Sequence, residues 1–108
     1  MKSKRIEIPI YNGTLVMIQV DNWDKVIKKY DQDITDSMDG VVFKHNHEYI
    51  VAYNHNPKPG IIAHEAVHLV NHIFIDKHMT LDPYNDEPQA YLTEWFVNTI
   101  SDYYKSLN

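Results

Sequence analysis

The chain has no cysteine. Small secreted domains often lean on disulfides, so this absence favours a reducing compartment. No apolar run is long enough to cross a bilayer. The first ten residues, M-K-S-K-R-I-E-I-P-I, are basic but lack the apolar segment of a signal peptide. These absences lead us to expect a cytoplasmic protein without a membrane partner. Basic residues are also scarce. Ten Lys and Arg face fifteen Asp and Glu, for a net charge of −5 with His neutral. They form no stripe, which argues against a nucleic-acid partner. What is present suits one folded domain over 1–108. Hydrophobic residues make up 44%, too many for a disordered chain and enough for one modest core. Eight tyrosines fit half-buried sheet and cleft positions. There are no repeats and no low-complexity segment.

The hydrophobic pattern predicts a small α+β domain. Residues 5–10 alternate as a strand, Asn12-Gly13 offers a tight hairpin turn, and 14–20 reads as the return strand. Pro9 cannot donate to a ladder, so the first strand belongs at an edge. Asp21 or Asn22 can cap a helix running to about Tyr30 or Ile34, with Trp23, Val26, Ile27, Tyr30 and Ile34 at helical spacing. Asp39-Gly40 turns into a second hairpin, 41–45 and 48–54. The loop 54–60, N-H-N-P-K-P-G, leads into a helix from about Gly60 to Lys77. A polar loop over 78–86 precedes a last helix that opens near Asp86. That helix carries Pro88 in its first turn and runs to about Lys105. The expected fold is a mixed or antiparallel sheet of about four strands, one backing helix and two C-terminal helices.

The helix over 60–77 carries H-E-A-V-H-L-V-N-H at 64–72. With His64 at zero and about 100° per residue, His68 falls near 40°, His72 near 80° and Glu65 near 100°. Ile62, Ala63, Ala66, Val67, Leu69, Val70, Ile73 and Phe74 fill the opposite arc, while Ile61 and Ile75 interrupt the polar one. One face can therefore pack and the other can bind. Two histidines one turn apart can converge on a single zinc at about 2.0–2.1 Å. A glutamate beside the first lies too far round to join that shell, and suits a general base taking a proton from water. His72 stands roughly 6 Å beyond His68 along the axis, too far for all three to reach one tetrahedral ion. The metzincin pattern also fails, because Asn71 stands where it needs glycine and Phe74 where it needs histidine. A third ligand must come from Asp76, His78, Asp82, Asp86, Glu87 or Glu94, and spacing alone does not choose among them. Glu87 and Glu94 share the polar face of the last helix with Tyr91, Asn98 and Asp102. Leu92, Phe96, Val97, Ile100, Tyr103, Tyr104 and Leu107 form its apolar face.

H-E-A-V-H, then eighteen residues, then E-P-Q-A resembles the gluzincin signature over about residues 60–98. That resemblance implies a zincin-like fold, one Zn²⁺ per chain held by His64, His68 and Glu87, and Glu65 as catalytic base. It also implies that Glu94, seven residues after the ligand, accepts a hydrogen bond from a ligand histidine. The aminopeptidase motif G-x-M-E-N is absent, so exopeptidase specificity is not implied. Asp86 stands where the aminopeptidases commonly place asparagine. The chain is also similar to small zinc peptidases encoded by phages and prophages, through I-P-I-Y-x-G in front and N-D-E-x-x-A-Y-L behind. A looser likeness is to the H-E-x-x-H domains of phage-repressor-cleaving regulators. The implied location is then the host cytoplasm.

The expected activity is hydrolysis of peptide bonds in a peptide or protein substrate. His72 and Tyr91 are candidate oxyanion donors, alongside Tyr84, Tyr53 and His55. In zincins an edge strand before the ligand helix pairs with extended substrate, and one strand of the 41–54 hairpin is expected in that part. The chain ends before the domain that forms one wall of a gluzincin cleft, so a homodimer or another partner is a candidate to complete it. The competing expectation is a non-enzymatic, metal-stabilised binding or assembly module with a peptidase-like fold.

Overall fold

The computed structural model describes residues 1–32 and 40–107. The chain divides into two compact units, Met1–Asn56 and Pro57–Asn108.

Among the described residues, the first unit is a mixed four-stranded sheet with one helix. Its strands are β1 (Lys2–Glu7), β2 (Thr14–Gln19), β3 (Gly40–His45) and β4 (Glu48–Tyr53), and its helix is α1 (Trp23–Tyr30). The order across the sheet is β1-β2-β4-β3. The two hairpins, β1–β2 and β3–β4, are antiparallel, and they join through a parallel β2–β4 pairing. The strands that meet at the centre are the apolar ones. Leu15 to Ile18 and Tyr49 to Tyr53 are buried without a break, as expected for strands flanked on both sides. Val16, Ile18, Val20, Ile50 and Ala52 share a core with Trp23, Val26 and Tyr30 of α1 and with Phe43 of β3.

Asn22 rather than Asp21 caps α1, its side chain accepting from the Asp24 amide at 2.9 Å. Asp21 instead binds Lys25 one turn on, and that hydrogen bond lowers the carboxyl pKa of Asp21. The expected extension to Ile34 lies outside the described residues, as does Asp39. Arg5 of β1 reaches past β2 to pair with Glu48 of β4.

The first hairpin differs from its expected form. β1 begins at Lys2 and ends at Glu7, three residues earlier than the alternation suggested. Pro9 has no amide hydrogen, so pairing stops before it and a six-residue loop follows, closed by the Ile8 amide on the Gly13 carbonyl at 2.9 Å. Positive φ falls at Ile10 (71°) and Asn12 (59°), and not at Gly13. The Tyr11 amide meets the Pro9 carbonyl at 2.8 Å, so Ile10 is the centre of a γ-turn. A β-branched residue is strained there, and Ile10 is 92% exposed, so no packing offsets the strain. Ile10→Gly is expected to raise stability by about 1 kcal/mol, less the extra flexibility glycine gives the unfolded chain. Thermal unfolding should show a midpoint a few degrees higher, whereas a lower midpoint would mean the Ile10 side chain is needed.

Gly13 serves another purpose. A Cβ on it would stand 2.8 Å from the Tyr49 ring. Gly40, directly opposite Tyr53 on β4, is likewise covered by a tyrosine ring. The second hairpin closes through Asn46, which takes φ 56°, and His47.

The second unit holds α2 (Pro59–Asp76) and α3 (Glu87–Ser106), packed against one another. Both open with proline in the first turn and neither has a side-chain cap. α2 buries Ile62, Ala66, Leu69, Val70, Ile73 and Phe74, and α3 buries Leu92, Phe96, Ile100, Tyr103 and Tyr104. Ala63 and Val67, expected on the apolar face of α2, are exposed instead. α2 ends in a Schellman turn. The Met79 amide bonds the Phe74 carbonyl at 2.8 Å and the His78 amide bonds that of Ile75 at 3.2 Å. His78, at φ 55°, holds the left-handed position usually taken by glycine.

No helix of the described residues is long and apolar enough to cross a membrane.

Candidate metal centre

His64 and His68 stand one turn apart on the exposed side of α2, while Ala66, Leu69 and Val70 anchor the other side. Anchoring by the core fixes the direction in which both imidazoles project. Their Nε2 atoms lie 3.2 Å apart, with ring centroids 4.9 Å apart and planes at 70°. Two nitrogens bound to a tetrahedral zinc at 2.0–2.1 Å are separated by about 3.3 Å, so the pair is spaced as two ligands of one ion. With one ring in the protonated tautomer the same spacing serves an N–H···N hydrogen bond, which keeps the two nitrogens together. Glu65 sits beside His64 and is half-buried. His72 is half-buried one turn beyond His68.

No protein-family model, curated protein or solved structure matches the chain.

The structure does not bring a third donor to the pair. Among the described residues no three His, Asp or Glu side chains gather into a group that could hold a metal. The reason lies in how α2 and α3 are joined. α2 continues two turns past His68 before its Schellman turn. Pro88 and Gln89 then line a cavity together with Phe74 and Met79. The start of α3 thus lies beside the last turns of α2, about 9 Å along the axis from His68. Glu87 is the first residue of α3 and is exposed, so its carboxylate can reorient. Glu94, about 10 Å further along α3, is exposed as well.

The remaining expected donors are dispersed. Tyr91 is 67% and Tyr84 98% exposed, whereas Tyr53 is fully buried in β4 and is not offered to a substrate at the surface. His55 follows β4, with Nδ1 2.8 Å from the Asn54 side-chain oxygen and its ring edge-on to Tyr53. Among the described residues β3 is an edge strand of the sheet and β4 is not, so of the 41–54 hairpin only β3 has an edge without a paired strand.

Proposed function

We propose that the chain is a zinc-dependent peptidase of gluzincin type with a zincin-like fold. The observation that carries this is the 3.2 Å Nε2 separation of His64 and His68 on the exposed side of a core-anchored helix. His64 and His68 supply two ligands and Glu87 the third. Zinc in such a site contributes Lewis acidity, which draws the pKa of a bound water toward neutrality and polarises a carbonyl. Glu65 takes the proton from the attacking water and passes it to the leaving amine. Glu94 orients a ligand histidine through its second nitrogen. His72 or Tyr91 donates to the developing oxyanion. The substrate is a peptide or protein in extended conformation. The host cytoplasm, and a second copy or partner that completes the cleft, belong to the same reading.

One observation favours a second reading. Because only two donors stand together among the described residues, the metal could serve a binding module rather than an enzyme. A cleavage screen on a broad peptide library separates the two. Zinc-loaded protein is expected to cleave, to stop when a chelator removes the metal, and to resume when zinc is restored. Full zinc occupancy without any cleavage would favour the binding module.

A further inference from the structure

The turn that joins α2 to α3 also builds a cavity of about 420 Å³ at the end of α2. That volume lies in the range of small-ligand sites and admits one long side chain. Its apolar walls are Phe74, Met79, Leu81, Pro83 and Pro88. Phe74 and Met79 are the two residues joined by the Schellman hydrogen bond, so that part of the wall is held by backbone geometry. Asp82 also lines the cavity. One of its carboxylate oxygens accepts from the Tyr84 amide at 2.9 Å, which fixes the side chain in the wall.

The segment that lines the cavity after α2 carries charge of one sign. Between Lys77 and Lys105 there is no Lys or Arg, while Asp82, Asp86, Glu87, Glu94 and Asp102 are all acidic. Apolar walls with an acidic lining suit a side chain with an aliphatic stem and a cationic head. A purely apolar side chain would bring no charge to Asp82, and an acidic one would be repelled.

We propose that this cavity is a recognition pocket for an arginine or lysine side chain of the bound peptide. The stem lies on Phe74, Leu81 and Pro88, and the head meets Asp82. The proposal rests on the peptidase reading for one point, the distance to the cleaved bond. Phe74 is six residues past His68, about 9 Å along α2. An extended peptide covers that in two or three residues at about 3.3 Å each. The basic residue therefore stands two or three positions from the scissile bond.

The test does not depend on cleavage. Acetylated, amidated alanine-rich pentapeptides with central arginine, norleucine or glutamate are titrated into the full chain, and backbone amide shifts are followed by NMR. The arginine peptide is expected to shift Met79, Leu81 and Gln89, and to bind about three- to fivefold more tightly than norleucine. That margin should shrink at high salt. The glutamate peptide should leave these amides unmoved. Asp82→Asn, which can keep the turn to Tyr84, should remove most of the arginine preference and leave norleucine binding unchanged. Norleucine binding as tightly as arginine, shifts confined to other residues, or an arginine preference that survives Asp82→Asn would each overturn the proposal. Arginine binding here without cleavage of any peptide would count against the peptidase and not against the pocket. If cleavage occurs, cut sites lacking a basic residue two or three positions away would contradict the placement.

Discussion

Glu65→Gln is expected to keep zinc at the wild-type level and to lower kcat/KM for peptide cleavage by about 10²–10⁴-fold. Glutamine has nearly the same shape and keeps one acceptor oxygen, with an amide N–H donor in place of the other. It cannot take a proton from water, so the substitution removes the base and little else. Glu65 lies about 100° round α2 from His64, outside the direction in which His64 and His68 converge. Zinc occupancy should therefore be indifferent to it. The loss should appear in kcat, with KM little changed, because the proton transfer occurs at the transition state. A variant that keeps more than a tenth of wild-type activity would show that another group is the base. A variant that loses zinc would show that Glu65 is a ligand.

The largest stability effect is expected at Gly40→Ala. A Cβ there would stand 2.4 and 2.5 Å from two carbons of the Tyr53 ring and 3.2 Å from the Ala52 carbonyl oxygen. Tyr53 is fully buried, so its ring has no open space into which it can turn. Overpacking of this kind costs about 3 kcal/mol. In a domain of this size that lowers the unfolding midpoint by roughly 10–20 °C. Gly13→Ala meets the Tyr49 ring in the same way, at 2.8 Å. Chemical denaturation of Gly40→Ala gives the number directly. A change below about 0.5 kcal/mol would mean that the ring does not cover the glycine.

These glycines show what was legible in the sequence and what was not. Asn12-Gly13 and Asp39-Gly40 read as turn signals, and Asn12 does take a positive φ. Neither glycine does. Each is small because a tyrosine of β4 lies over it, a constraint set by strand pairing far away in sequence. The helices were legible because amphipathic spacing and first-turn prolines are local signals. α2 opens at Pro59 and α3 at Glu87 with Pro88 next, each within a residue of expectation. The parallel pairing of β2 with β4 was not legible, since it joins segments more than thirty residues apart. The end of α2 was placed within a residue, but its Schellman turn was hidden because histidine, not glycine, occupies the left-handed position.

The candidate site divides along the same line. Two residues one turn apart on a single helix depend on local geometry, and the Nε2 atoms of His64 and His68 lie 3.2 Å apart. A third ligand depends on where a second helix begins, and this is set by the turn at 77–86. The resemblance to gluzincins points to Glu87, the residue before Pro88, and Phe74, which shares a cavity with Pro88, stands about 9 Å past His68 along α2. On the proposed reading, Glu87 would join the pair only when the metal binds. Binding energy can draw in an exposed carboxylate, as is common where the complete site exists only in the loaded protein.

Zinc content by elemental analysis, on protein purified without chelator and without a metal-affinity step, tests this most directly. The wild type should hold close to one zinc per chain. His68→Ala should hold almost none, and Glu87→Ala should lose most of it. Full zinc in Glu87→Ala would contradict its role as third ligand, and no zinc in the wild type would contradict the metal centre.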